Sequence, residues 1–174
     1  MFASNVPGPP LSLRHALAGL QAGVFGALAM LACVMFGSIL NGRSIWVVPN
    51  LFATVFLGGN VYRNEYLSTA WAGIGLLVGI YGILGVVWGM IWRENRKPGL
   101  TIFGAIAGLA VYFVLFDLIG RRFAPTVTLY APDRQLQLGH ILWGMSLGKS
   151  PVFARRIADQ TAQPVVVEVD EVIR

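Results

Sequence analysis

The sequence predicts an all-α membrane protein: four transmembrane helices plus a short interfacial or re-entrant helix, an irregular N-terminal arm and an extended acidic C-terminal tail. Three observations carry this prediction. Charged side chains make up 12% of the 174 residues and hydrophobic ones 56%, whereas soluble domains carry about 25% charge. Mean hydropathy is +0.67. The charges leave long uncharged gaps at 15–42, 44–62, 66–92, 98–116 and 135–148. The same figures exclude a disordered chain, a disulfide scaffold and a two-domain soluble enzyme. The lone Cys33 cannot form an internal disulfide.

The elements follow in chain order. Residues 1–13, with Pro7, Pro9 and Pro10, read as an irregular arm. Met30-Leu31-Ala32-Cys33 imitates a lipoprotein cleavage site, but the apolar run continues through Val34, Met35 and Phe36. A first span over about 16–40, with Cys33 packing as a small residue, is the better reading. Within 45–59, Pro49-Asn50 and Gly58-Gly59 start and stop a helix at 51–57. A helix needs about 20 apolar residues to cross a bilayer, so this one is expected to lie along the interface or dip in as a re-entrant piece.

The second span is expected at 68–92, with Ser68 and Thr69 able to cap its start and Trp71, Trp88 and Trp92 near its ends. The third covers 100–120, entered after Lys97-Pro98-Gly99 and left at Arg121-Arg122. The fourth runs from Asp133 to Lys149 (133–149) and reaches about 25 Å, enough to cross if neighbours bury its polar end. Residues 151–174 form the tail, in which valines alternate with acids from Val165 to Ile173. That alternation favours an extended strand, which needs a partner edge to be stable.

A net charge of +5 and a pI near 9.9 invite a nucleic-acid reading. The Lys and Arg residues instead cluster at the ends of apolar runs, which suits lipid headgroups, and no nucleic-acid partner is expected. With four spans and an inside N-terminus, Arg14, Arg93, Arg96, Lys97, Lys149, Arg155 and Arg156 fall inside, against five basic residues outside. Both termini are therefore expected in the cytoplasm.

Small residues recur at helical spacing. Gly75, Gly79, Gly82 and Gly89 form one stripe, Gly19 and Gly23 another, Gly104 and Gly108 a third, and Gly144 and Gly148 continue from His140. In lipid, helices associate through close packing that small residues permit, so these stripes predict helix-packing seams. The same smooth grooves suit a partner protein, a pigment, a quinone or a lipid.

Catalytic constellations are absent. Gly144, Gly148, Lys149 and Ser150 imitate a phosphate-binding loop with one residue too few, and Gly73, Gly75 and Gly79 imitate a dinucleotide fingerprint with one too many. His140 is the most polar group of the fourth span and the candidate cofactor-binding residue, for a haem, a pigment magnesium or a quinone. Bis-histidine haem ligation would require His15, which the topology puts at the opposite end of the first span. Asp117 and Arg121 stand four apart at the end of the third span, as an ion pair would. No catalytic residue, no metal site and no required cofactor are expected.

The glycine-rich Gly19–Gly26 stretch, the Pro49–Gly58 segment and the run His140-Ile141-Leu142-Trp143-Gly144-Met145-Ser146-Leu147-Gly148 together resemble small bacterial four-span integral membrane proteins of unknown function. The resemblance covers most of residues 14–150. It implies a multi-pass location in the bacterial inner (cytoplasmic) membrane and no assigned activity. The reading is then a non-catalytic accessory or structural subunit, contacting membrane lipids and packing against a larger complex of respiratory or photosynthetic type through its glycine seams and tail. The alternatives are a small carrier or channel using His140 and Asp117, with 45–59 as a re-entrant loop, and a cofactor- or pigment-binding membrane protein.

Overall fold

The computed structural model describes residues 10–92 and 99–162; for Thr161 and Ala162 it describes the backbone alone. Helix α1 spans Leu11–Leu40. It starts earlier than the expected arm allows, because nothing between Pro10 and Arg14 breaks a helix and the first obstacle met running backwards is Pro10 itself. The rest of the arm, residues 1–9, lies outside the described residues.

Helix α2 spans Val47–Leu57 and also begins before its expected start. Pro49 is its third residue, where an absent N–H costs no intrahelical bond, so the proline sits inside the first turn instead of preceding it. Gly58 ends the helix at φ 77°, a left-handed conformation suited to glycine. At 11 residues α2 is too short to cross, and Val47 to Thr54 are all buried. It lies against α3, Ala70–Ile91, where a Cβ at Gly73 would collide with the Pro49 carbonyl.

Helix α4, Leu100–Tyr112, widens into a π-helix over Phe113–Gly120 and ends in α5, Arg121–Phe123. A short α6, Pro125–Tyr130, turns the chain back into α7, Asp133–Leu147. Helix α8, Ser150–Ala162, closes the described chain. It corrects the expected extended tail for residues 151–162: Pro151 sits in its first turn, and Phe153 stacks on Phe25 of α1 with ring centroids 5.9 Å apart. Residues 163–174, where valines alternate with acids, lie outside the described residues, as do Arg93, Arg96 and Lys97.

The described residues are all-helical, without strands. Among the described residues, three helices are long and apolar enough to cross a bilayer, Leu11–Leu40, Ala70–Ile91 and Leu100–Phe123. The chain is thus a helical membrane protein. The 15 residues of α7 rise only about 22 Å.

Glycine contacts hold the bundle together in two zippers. In the first, α1 meets α3: a Cβ at Gly19 would strike the Gly85 carbonyl, and one at Gly23 would lie 3.0 Å from the Gly85 Cα. In the second, α4 meets α7 through Gly104 against Gly144 and Gly108 against the His140 carbonyl, with Gly148 against Thr101. The zippers are joined where α7 crosses α1, and there Ser146 Oγ donates to the Ala22 carbonyl at 2.8 Å. Helices α3 and α4 touch through aromatic rings, Trp88 and Trp92 on Phe103, at the Gly99 end of the bundle. Towards the other end they splay apart.

Candidate functional site

The bundle closes around His140. Gly139 and Gly144 let α7 approach α1 and α4 so closely that the imidazole between them is fully buried. Its Nδ1 lies 2.7 Å from the Leu136 carbonyl, one turn back on α7, and its Nε2 lies 2.5 Å from the Tyr81 hydroxyl of α3. A carbonyl only accepts, so Nδ1 carries the proton and Nε2 accepts from the Tyr81 O–H. A neutral imidazole satisfies both bonds, as a site deep in an apolar bundle requires.

Three rings enclose that imidazole edge-to-face. Tyr81, Tyr112 and Phe116 have centroids 5.3, 5.2 and 5.7 Å from it. Trp143 packs on Tyr81 at 5.0 Å. Phe116 continues the buried row of Gly104, Gly108 and Tyr112 at four-residue spacing through the π-helix, while Asp117 and Arg121 are exposed. Both ring nitrogens of His140 are engaged within the chain, so this conformation offers neither to a metal. His15 lies level with Gly89, eight residues along α3 from Tyr81, and the two histidines do not meet.

Above the cage, towards the Gly120 end, lies a polar cavity of about 240 Å³. Tyr112, Asp117, Arg121, Asp133 and Gln137 line it, with Phe116 and Thr128 as its inner boundary. Tyr112 donates to Asp133 Oδ1 at 3.1 Å, and Arg121 donates to Asp117 Oδ1 at 2.7 Å. The Asp117–Arg121 pair is solvent-facing, so it adds little stability. Among the described residues no group of three or more His, Cys, Asp or Glu is placed to hold a metal ion.

The glycines of the sequence stripes separate into two kinds. Gly19, Gly23, Gly89, Gly104, Gly108, Gly144 and Gly148 each have neighbouring backbone where a Cβ would sit, and Gly82 meets the side chains of Leu20 and Val24. Gly75 and Gly79 meet nothing within 4 Å and face away from the bundle. Periodicity places Gly75 and Gly82 on one face, but α1 covers only the lower half of that face, while α2 packs on Gly73 at the upper half.

Tyr81 and Phe116 were not legible as site residues, though a tyrosine mid-span, far from the interfaces that tyrosines prefer, is a usable signal. Asn50 was also missed. It is fully buried on α2, and its Nδ2 donates to the carbonyls of Arg63 and Glu65 at 2.8 and 2.9 Å, pinning the connection to α3.

Over 82 residues, 46% of its length, the chain is 32% identical to Protein HupE of Rhizobium leguminosarum bv. viciae. It spans 41% of that protein, under half the length of the curated relative it matches. No protein-family profile matches the chain. No solved structure matches it significantly.

Proposed function

We propose that this chain is a non-catalytic accessory subunit of a larger membrane complex, and that α3 is the helix it offers to its partner. One observation carries the reading: Gly75 and Gly79 form a small-xxx-small pair whose Cβ positions are open. Such a pair lets a second transmembrane helix approach backbone to backbone, and a lipid-facing helix gains nothing from two glycines otherwise. Ala72 and the exposed Ile83 extend the strip along the same face. The closed hydrogen bonding of His140 fits a structural centre better than a ligand site.

In this reading α7 is a fourth crossing, both termini lie in the cytoplasm, and the membrane is the bacterial inner membrane. Gentle solubilisation followed by native electrophoresis tests the subunit role. The wild-type chain is expected in a species well above its own 18.8 kDa. Gly75→Leu with Gly79→Leu is expected to release it as the isolated chain with its thermal melt unchanged. An isolated wild-type chain in mild detergent overturns the proposal.

The polar cavity favours a second reading, a small carrier in which Asp117 and Asp133 receive a cationic solute above His140. Flux in liposomes that survives His140→Ala and Asp117→Asn would remove it.

A further inference from the structure

The polar cavity has an apolar neighbour. Where α3 and α4 splay apart, a groove of about 180 Å³ runs from Phe123 and Val127 towards Leu77 and Tyr81, near the middle of α3. Its walls are almost wholly hydrocarbon, with Phe52 of α2 on one side and Leu115 on the other. Phe116 and Thr128 line both cavities, so the polar and apolar spaces adjoin at the Gly120 end of the bundle. Along α4 and its continuation the two overlap in height, the polar space being lined within residues 112–121 and the apolar one within 115–124, so they lie side by side across Phe116 and Thr128.

From this pairing we infer an amphiphile site whose occupant is a membrane phospholipid with a primary-ammonium headgroup, of the phosphatidylethanolamine type. One acyl chain fills the groove, which would otherwise leave its lining without contacts. The charges of the polar cavity alternate to match the headgroup. Asp133 and Asp117 receive the ammonium, which brings three N–H donors, and Arg121, two turns from Tyr112 on the same helix, receives the phosphate. A purely anionic headgroup would meet two carboxylates. A quaternary ammonium would bring no N–H donor to them.

The test is native mass spectrometry of the delipidated full chain, titrated with phosphatidylethanolamine, phosphatidylcholine and phosphatidylglycerol of identical acyl chains. One phosphatidylethanolamine per chain is expected to persist, retained about tenfold better than either competitor, as expected for the loss of charge-assisted hydrogen bonds. Asp117→Asn with Asp133→Asn is expected to abolish that preference, lowering retention of phosphatidylethanolamine, leaving phosphatidylcholine unchanged and raising phosphatidylglycerol as the repelling carboxylates are lost. Ile80→Trp, or Ile119→Trp if the first fails to fold, is expected to fill the groove and lower retention of all three. Equal retention of the three lipids by the wild type overturns the site. So does a preference for phosphatidylglycerol, or a phosphatidylethanolamine preference that survives the double Asn variant.

Discussion

Tyr81 and His140 make one hydrogen bond across the centre of the bundle, and its worth depends on what remains when half of it is removed. Tyr81→Phe keeps the ring that cages the imidazole but leaves the buried Nε2 without its donor. Interhelical hydrogen bonds in membranes contribute about 0.6 kcal/mol on average, and an orphaned buried acceptor costs about 1–3 kcal/mol. The expected destabilisation is about 1 kcal/mol, read from reversible unfolding in mixed micelles. With His140→Leu as background, Tyr81→Phe should cost nearly nothing, because no acceptor remains. Equal costs in the two backgrounds would show that the hydroxyl serves another group. His140 stood out in the sequence because it is the lone histidine of an apolar span. Its partner did not, since hydrogen bonding across 59 residues leaves no trace in local spacing.

At the level of the helix, the two kinds of glycine separate under one substitution. Gly85→Ala drives a methyl into the Gly19 carbonyl and to within 2.8 Å of the Gly23 Cα. Backbone cannot yield as a side chain can, so the helices must part, at a cost of about 1–3 kcal/mol or more. Gly75→Ala puts the same methyl into open space, where alanine stabilises the helix by roughly 1 kcal/mol. Thermal unfolding of the isolated chain is expected to show the first variant less stable than wild type and the second at least as stable. Two melts lowered equally would place Gly75 inside the bundle. The glycine periods and three long apolar helices were readable in sequence, because helical spacing assigns residues to faces and long uncharged runs mark the helices. Which neighbour covers a face at each height was not readable: one stripe on α3 passes from α1 to open surface, and Gly73 and Gly85 serve contacts outside the expected stripe. The start of α2 was misjudged for a similar reason, since a proline signals a helix start only to within a turn.

Across the whole molecule, the side on which each end lies turns on α7. It accompanies α1 from Gly37 against Gln135, through Met30 against Gly139, to Ala22 beside Ser146. It runs with α4 from Gly148 beside Thr101 to Asp133 beside Tyr112. The proposed fourth crossing rests on this shared depth with two helices long enough to span, and it takes α7 out of the bilayer on both faces. Its ends bear Asp133 and Arg134 on one side and Lys149 on the other, as an exit into water at each end requires. Its neighbours bury Leu136, His140, Trp143 and Leu147, and the face left to lipid is the apolar one of Leu138, Leu142 and Met145, which accommodates its short core. Single cysteines in a Cys33→Ser background test this with a membrane-impermeant maleimide on intact cells. Asn64→Cys, in the exposed connection before α3, and Arg122→Cys, before α7, are expected to label from outside, and Gln160→Cys in α8 only after the membrane is permeabilised. Labelling of Arg122→Cys and Gln160→Cys from the same side would leave α7 uncrossed and move the C-terminal helix to the face that carries the polar cavity.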